Sequence, residues 1–395
     1  MTDRCDHNPK PETVAAAHGV ASDPSYGAIS PPLFLSSTYE FAGYDQARAY
    51  DYGRAGNPTR DMLADALARL ERGAGAVITS SGMAAIDLLV SRLHVGALVV
   101  APHDCYGGTM RLLKARGERG QIVLRLVDQG DTAAFAAAME HGPALVLIET
   151  PSNPLMRIVD IAALGAMAHG AGALVAVDNT FLSPALQQPI TLGADFVIHS
   201  TTKYLNGHSD VIGGAVVAAD PAQVEQLRHW SNVVGSTGAP FDAWLTLRGL
   251  RTLFPRMERQ QISATAVARY LEHGDALGLA PRDADIVHRA ADQLAAVRHQ
   301  HDLITVLNWE GGDEPAVALV DDHGGDAFAA ATLQAVLPDV RALAVAVLGH
   351  RQYARSRAQY LQAHDLVVSF ERHALHPAGA ATHAAHVFLS EADRL

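Results

Sequence analysis

One lysine stands among hydroxyl residues in HSTTKYLNGHSD, residues 199–210, directly after the apolar run DFVI. An amine so placed, Lys203, can condense with an aldehyde to form a Schiff base. Asp178 likewise follows an apolar run, LVAV. A third place is SSGMAAIDLLVSRL after AGAVIT, where Met83, Ile86, Val90 and Leu93 recur at helical spacing and put Ser80, Ser81 and Gly82 at the helix N-terminus. Free amides and a small-residue turn there suit an anion. Taken singly, each has a bland alternative: an N-cap serine, a turn aspartate, a solvated loop lysine. In this order they match the needs of pyridoxal phosphate (PLP): an amine for the aldehyde, a carboxylate to keep the pyridine nitrogen protonated, a helix end for the phosphate. Tyr106, in HDCYGG after LVVAP, is available to cover the ring.

Such residues need strand ends to stand on. AGAVITS, LVVAPH, ALVLIET, LVAVDNT and DFVIHS are short apolar runs separated by helix-length amphipathic segments, the pattern of parallel strands covered on both faces. The expectation is an α/β chain with an open, mainly parallel sheet, whose ligands sit at the carboxyl ends of the strands. Residues 1–60, rich in Pro, Gly, Ser and Tyr, read as an extended arm reaching a neighbouring subunit; 61–255 form the large domain and 256–395 a smaller α/β domain. Residues 241–273 read as a long helix interrupted near Pro255. In the smaller domain AVALVDD and ALAVAVLG read as strands and DAFAAATLQAVL as a helix.

With 395 residues, 49% hydrophobic and 18% charged, the chain has material for a large core and two domains. A net charge of −12 argues against a general nucleic-acid or anionic-membrane surface and for small-molecule chemistry. The first twenty residues lack a cationic start followed by an apolar stretch, and no apolar run reaches about 18 residues, so a cytoplasmic protein is expected. Cys5 and Cys105 are too few for a disulfide framework or a cysteine zinc site.

DYGRAGNPTRDML, SSGMAAI, PHDCYGGTMRLL, ETPSNPLMRIVDI, VDNTFLSPALQQPITLGADFVIHSTTKYLNGHSDVIGG and LRGLRTL together resemble the Cys/Met-metabolism family of PLP-dependent enzymes, its bacterial γ-synthase branch above all, over about residues 15–272. The resemblance implies the PLP-dependent transferase fold type I and a γ-replacement or γ-elimination on a γ-substituted amino acid, such as an activated homoserine plus a thiol. It makes Lys203 the cofactor-bearing lysine and proton shuttle, Asp178 the partner of the pyridine nitrogen and Tyr106 the stacking ring. Gly82, Met83, Ser200 and Thr202 would surround the phosphate, with Tyr52 and Arg54 reaching that of a neighbouring subunit. Asn153 and Arg111 would lie beside cofactor and substrate, Asp51 near the entrance, in a homo-oligomer built as a dimer of dimers.

The resemblance weakens after about residue 275. AVLGHRQY, residues 346–353, carries Ala346, Val347 and His350 where the family has glutamate, serine and a second glycine. HDLVVSFERH puts Val367 where the family has a carboxylate-binding arginine, leaving Arg372 and Arg394 as the nearby candidates. These departures keep two alternatives open: a biosynthetic relative with another substrate or nucleophile, and a subunit completed by a paralogous chain. His373, His376, His383 and His386 have spacings a metal could use, yet no acidic or cysteine partner accompanies them. No metal site is expected.

Overall fold

Seven short apolar strands form one sheet in the computed structural model, which describes residues 9–272. The chain divides into two compact units, Met1–Glu258 and Arg259–Leu395. In chain order the elements are α1 (Pro11–Ala17), α2 (Pro58–Glu71), β1 (Gly75–Thr79), α3 (Gly82–Ser91), β2 (Ala97–Pro102), α4 (Gly107–Glu118), β3 (Ile122–Val127), α5 (Thr132–Met139), β4 (Leu145–Glu149), α6 (Ile161–Gly170), β5 (Leu174–Asp178), α7 (Ser183–Leu186), β6 (Phe196–Ser200), β7 (Gly214–Ala218), α8 (Pro221–Val234), α9 (Pro240–Leu250) and α10 (Leu253–Glu272).

The spatial order is β1-β7-β6-β5-β4-β2-β3. Strands β6, β5, β4, β2 and β3 pair in parallel, while β7 runs antiparallel to both neighbours. All five expected runs are strands. Two further strands complete the sheet: β3, an edge strand, and β7, which is wholly buried. Successive residues face opposite layers, so Val197 and Val217 pack with α2 and α9, and Ile198 and Val216 with α3, α4 and α8. Leu63, Leu67 and Leu70 of α2 are essentially inaccessible, and each contributes about 2 kcal/mol through apolar burial.

Helix starts follow the sequence closely. Asn57, Ser81, Asp131, Asp160 and Asp220 each accept backbone N–H groups of the turn that follows. Asn57 also donates to the Phe34 carbonyl at 2.9 Å and to the Tyr39 hydroxyl at 3.1 Å, fastening the N-terminal segment to α2.

Two expectations need correction. The N-terminal segment is not uniformly extended: Pro11 at the first position starts the short helix α1, which buries Val14 and Ala15. The interruption expected near Pro255 is present, at Arg251–Thr252, but the proline does not make it: Pro255 lies in the first turn of the new helix, where its missing N–H costs nothing. The expected strands and helix of the smaller domain, the string 346–353, Val367, Arg372, Arg394 and the four C-terminal histidines lie outside the described residues.

Candidate active site

Parallel pairing sets the strand ends in a row. Glu149, the last residue of β4, is the register partner of Asp178, the last of β5, and Asp178 in turn is opposite Ile198 of β6. A small cavity at these ends is lined by Ile86, Cys105, Thr109, Glu149, Asp178 and Ile198. Asp178 Oδ1 accepts the Thr180 hydroxyl at 2.5 Å and the Thr180 N–H at 3.0 Å. Burial pushes the Asp178 carboxyl up, against the pull of the two Thr180 hydrogen bonds and of His199. Burial, then neighbouring Asp178, pushes Glu149 well above the ordinary carboxylate range.

Lys203 sits half-buried in the turn after β6, its N–H donating to the Ser200 carbonyl at 3.2 Å. That turn is pressed onto α9 at Gly249, where a Cβ would lie 2.1 Å from the Asn206 carbonyl oxygen. Arg256 ties the two together, donating to the Tyr204 carbonyl of the turn at 2.9 Å and the Gly249 carbonyl of α9 at 3.0 Å.

The helix N-terminus lies beside the same strand end. Gly82 meets Ser200 so closely that a Cβ would stand 2.8 Å from the Ser200 Cβ, and the Ser81 hydroxyl caps Ala84 at 3.1 Å. Met83 and Tyr106 close on each other across Gly108, where a Cβ would be 2.5 Å from Tyr106 Cε1 and 2.8 Å from Met83 Sδ. The Thr202 hydroxyl donates to the Gly213 carbonyl and accepts the Gly213 N–H at 3.0 Å. Asn153 is buried, and among the described residues its amide oxygen has no donor; the buried hydroxyl of Thr109 likewise has no partner among them.

Lys203, Asp178, Tyr106, Gly82, Met83, Ser200, Thr202 and Asn153 thus all belong to this one end of the sheet. Arg111 is exposed, just past the first turn of α4. Asp51, Tyr52 and Arg54 are exposed on the N-terminal segment, where the Arg54 guanidinium bonds the carbonyl and Oδ1 of Asn232 and lies 5.5 Å from the Tyr52 ring centroid. Arg54 therefore turns to α8 and not to its own chain's helix N-terminus.

Sequence reasoning missed Glu149, although it ends an apolar run just as Asp178 does. It also missed Arg60, buried and donating to the carbonyls of Gly53 and Arg54, so that it sets the loop bearing Tyr52 and Arg54. Behind the sheet, inaccessible His199 and Glu71 pair at 2.6 Å, and Glu71 Oε1 also accepts Asn179 Nδ2 at 2.8 Å. No feature of LARLERG distinguishes Glu71 from a surface glutamate at a helix end.

The model of the Cys/Met metabolism PLP-dependent enzyme family matches residues 12–278. The chain belongs to this family. Cystathionine gamma-synthase of Escherichia coli (strain K12) is 55% identical over 264 residues, 67% of this chain and 68% of that protein. Cystathionine gamma-synthase of Mycobacterium tuberculosis (strain ATCC 25618 / H37Rv) is 46% identical over 263 residues, 66% and 68% of the two chains. The structure of cystathionine gamma synthase from Xanthomonas oryzae pv. oryzae in complex with cystathionine matches with a TM-score of 0.66 at 53% identity, covering 67% of this chain and 68% of that one. The architecture is that of fold type I, and the family's cofactor is PLP.

The residues present fit that cofactor. The contact of Gly82 with Ser200 keeps side chains away from the α3 amides, which suits a phosphate. The Asn153 oxygen and Thr109 hydroxyl, buried and without a partner among the described residues, are polar atoms that a ligand would satisfy. Among the described residues no group of His, Cys, Asp and Glu could hold a metal, and no helix is long and apolar enough to cross a membrane.

Proposed function

We propose that the protein catalyses γ-replacement on an activated homoserine, with a thiol such as cysteine as the incoming group, and γ-elimination when no thiol is present. The observation that carries this reading is the joint placement of Lys203, Asp178 and Tyr106 at one sheet end in a chain 55% identical to a cystathionine gamma-synthase. PLP, when bound, supplies an electron sink for charge developing at the substrate α-carbon. Lys203 holds the cofactor and moves protons at the substrate α-carbon and its neighbours. Asp178 keeps a proton on the ring nitrogen, and Tyr106 covers the ring face. Ser200, Thr202 and the Gly82 and Met83 amides hold the phosphate, while Asn153 and Arg111 orient cofactor and substrate.

The reading includes a shared site. Tyr52 and Arg54 serve the phosphate of a neighbouring copy and Asp51 lies near its entrance, in a dimer of dimers. Their exposure and the buried Arg60 that shapes their loop support it. A cytoplasmic location accords with the buried free thiol of Cys105. The test is incubation of PLP-loaded protein with O-succinylhomoserine or O-acetylhomoserine, with and without cysteine. Cystathionine should form with cysteine and a 2-oxo acid without it; neither product from either substrate would refute the reading. For the shared site, mixed Lys203→Ala and Arg54→Ala chains should recover part of the activity, and confirmed exchange without recovery would refute it.

A further inference from the structure

Both oxygens of Glu149 are used by backbone. Oε2 accepts the Tyr106 N–H at 2.9 Å, and Oε1 accepts the Asn153 N–H at 2.6 Å. Tyr106 is the first cap of α4, and Asn153 belongs to the loop after β4. One carboxylate that lines the cavity therefore fastens the segment before α4 and the loop after β4. Charge-assisted bonds of this kind are roughly twice as strong as neutral ones. The position is otherwise unfavourable, because Asp178 is its register partner on the next strand and Asp104 adds a further negative field. Two carboxyl groups at adjacent strand ends repel unless a positive group comes between them or beside them.

We propose that Glu149 is a positioning residue of the cofactor site, fixing the backbone of Tyr106 and Asn153 on either side of the strand end and adding a second negative charge behind Asp178. The inference rests on the reading of this site as the PLP site. A ring nitrogen held protonated by Asp178 is the positive group that would relieve the repulsion and let Glu149 ionise, against the burial and the Asp178 charge that otherwise push its carboxyl up. The other groups facing the pair are accounted for. Asp104 accepts the Ser152 hydroxyl at 2.7 Å and lies 3.7 Å from Arg157 Nε and 3.9 Å from His103 Nδ1. Cys105 is a buried thiol raised by burial and by Glu149. His199 acts on Asp178 from β6, and Lys203 stands beyond the end of that strand. Of these, Glu149 bonds the backbone of both Tyr106 and Asn153.

The experiment compares wild-type, Glu149→Gln and Glu149→Asp holoproteins by pH titration of the bound-PLP absorbance and by PLP equilibrium dialysis. An anion near the protonated cofactor raises its titration midpoint, so Glu149→Gln should lower the midpoint by about one pH unit. It should also weaken PLP binding roughly tenfold, since one backbone N–H then faces an amide NH2. Glu149→Asp keeps the charge but not the reach, so the midpoint should stay near wild type while binding weakens. A purely structural glutamate would move stability without moving the midpoint. Wild-type midpoint and affinity in Glu149→Gln overturn the proposal; should that variant not fold, wild-type affinity in Glu149→Asp overturns it. A wild-type protein without a titrating PLP chromophore overturns instead the cofactor reading on which the proposal rests.

Discussion

Glu71→Ala removes the acceptor on which two buried donors converge. His199 Nε2 lies 2.6 Å and Asn179 Nδ2 lies 2.8 Å from Glu71 Oε1, and all three residues have 0% exposure. Asn179 keeps its bond to the Gln187 carbonyl at 2.9 Å and accepts Gln187 Nε2 at 3.0 Å. The loss therefore falls mainly on His199, whose other ring nitrogen already has no partner among the described residues. An unpaired buried donor costs about 1–3 kcal/mol and the vacated space adds to it, so the total is about 3–4 kcal/mol. At roughly 2–4 °C per kcal/mol for a domain of this size, the melting temperature should fall by about 10 °C. Glu71→Gln keeps the volume and one acceptor oxygen and should cost about 1 kcal/mol. Calorimetry of the PLP-loaded variants measures both, and His199→Ala should add little on the Glu71→Ala background, because the two residues share one interaction. A Glu71→Ala protein melting within about 2 °C of wild type would refute the reasoning.

Gly249→Ala forces a Cβ to 2.1 Å from the Asn206 carbonyl oxygen; it should cost about 1–3 kcal/mol and weaken PLP retention, read by dialysis, because the displaced turn carries Lys203. Cys105 is buried and its thiol is pushed up to about 12, chiefly by burial, so at pH 8 iodoacetamide should label it only after unfolding, as peptide mass mapping will show. The raised Asp178 carboxyl has a defined sign in the cofactor-free protein. The folded state holds the proton more tightly than the unfolded state, so this contribution to stability is present below the ordinary carboxylate range and is lost as pH rises through the elevated value. Urea unfolding of apo wild type and apo Asp178→Asn from pH 4 to 8 should show the difference between them shifting in favour of Asn as pH rises.

Much of the site was legible because strand ends in an open sheet obey one rule. LVAV with Asp178, FVIHS with Lys203 and AGAVIT with Ser81, the cap before Gly82, all place their polar residue at the carboxyl edge, where the structure puts them. ALVLIE obeys the same rule, and applying it to that run as well points to Glu149. Strand β3 was not distinguished because its mixed exposure and internal Arg125 blur the apolar signal of an edge strand. Strand β7, GAVVA, is short and opens on Gly214 directly after Gly213, a glycine pair that blurs the strand signal; its antiparallel direction is set by the turn that follows Lys203, and that turn is a tertiary feature. The partnership of Glu71 with His199 spans 128 residues of chain and is invisible to local pattern. The short helix α1 was hidden by the proline and glycine content of its surroundings.

The central claim is that Lys203 carries PLP at the carboxyl end of the sheet. Borohydride reduction of purified holoprotein, followed by proteolysis and mass mapping, tests it most directly. The account predicts a pyridoxyl group on the peptide containing Lys203 and none on Lys203→Ala protein treated in the same way. A pyridoxyl group on another lysine, or an unmodified Lys203 peptide from PLP-saturated wild type, would contradict it.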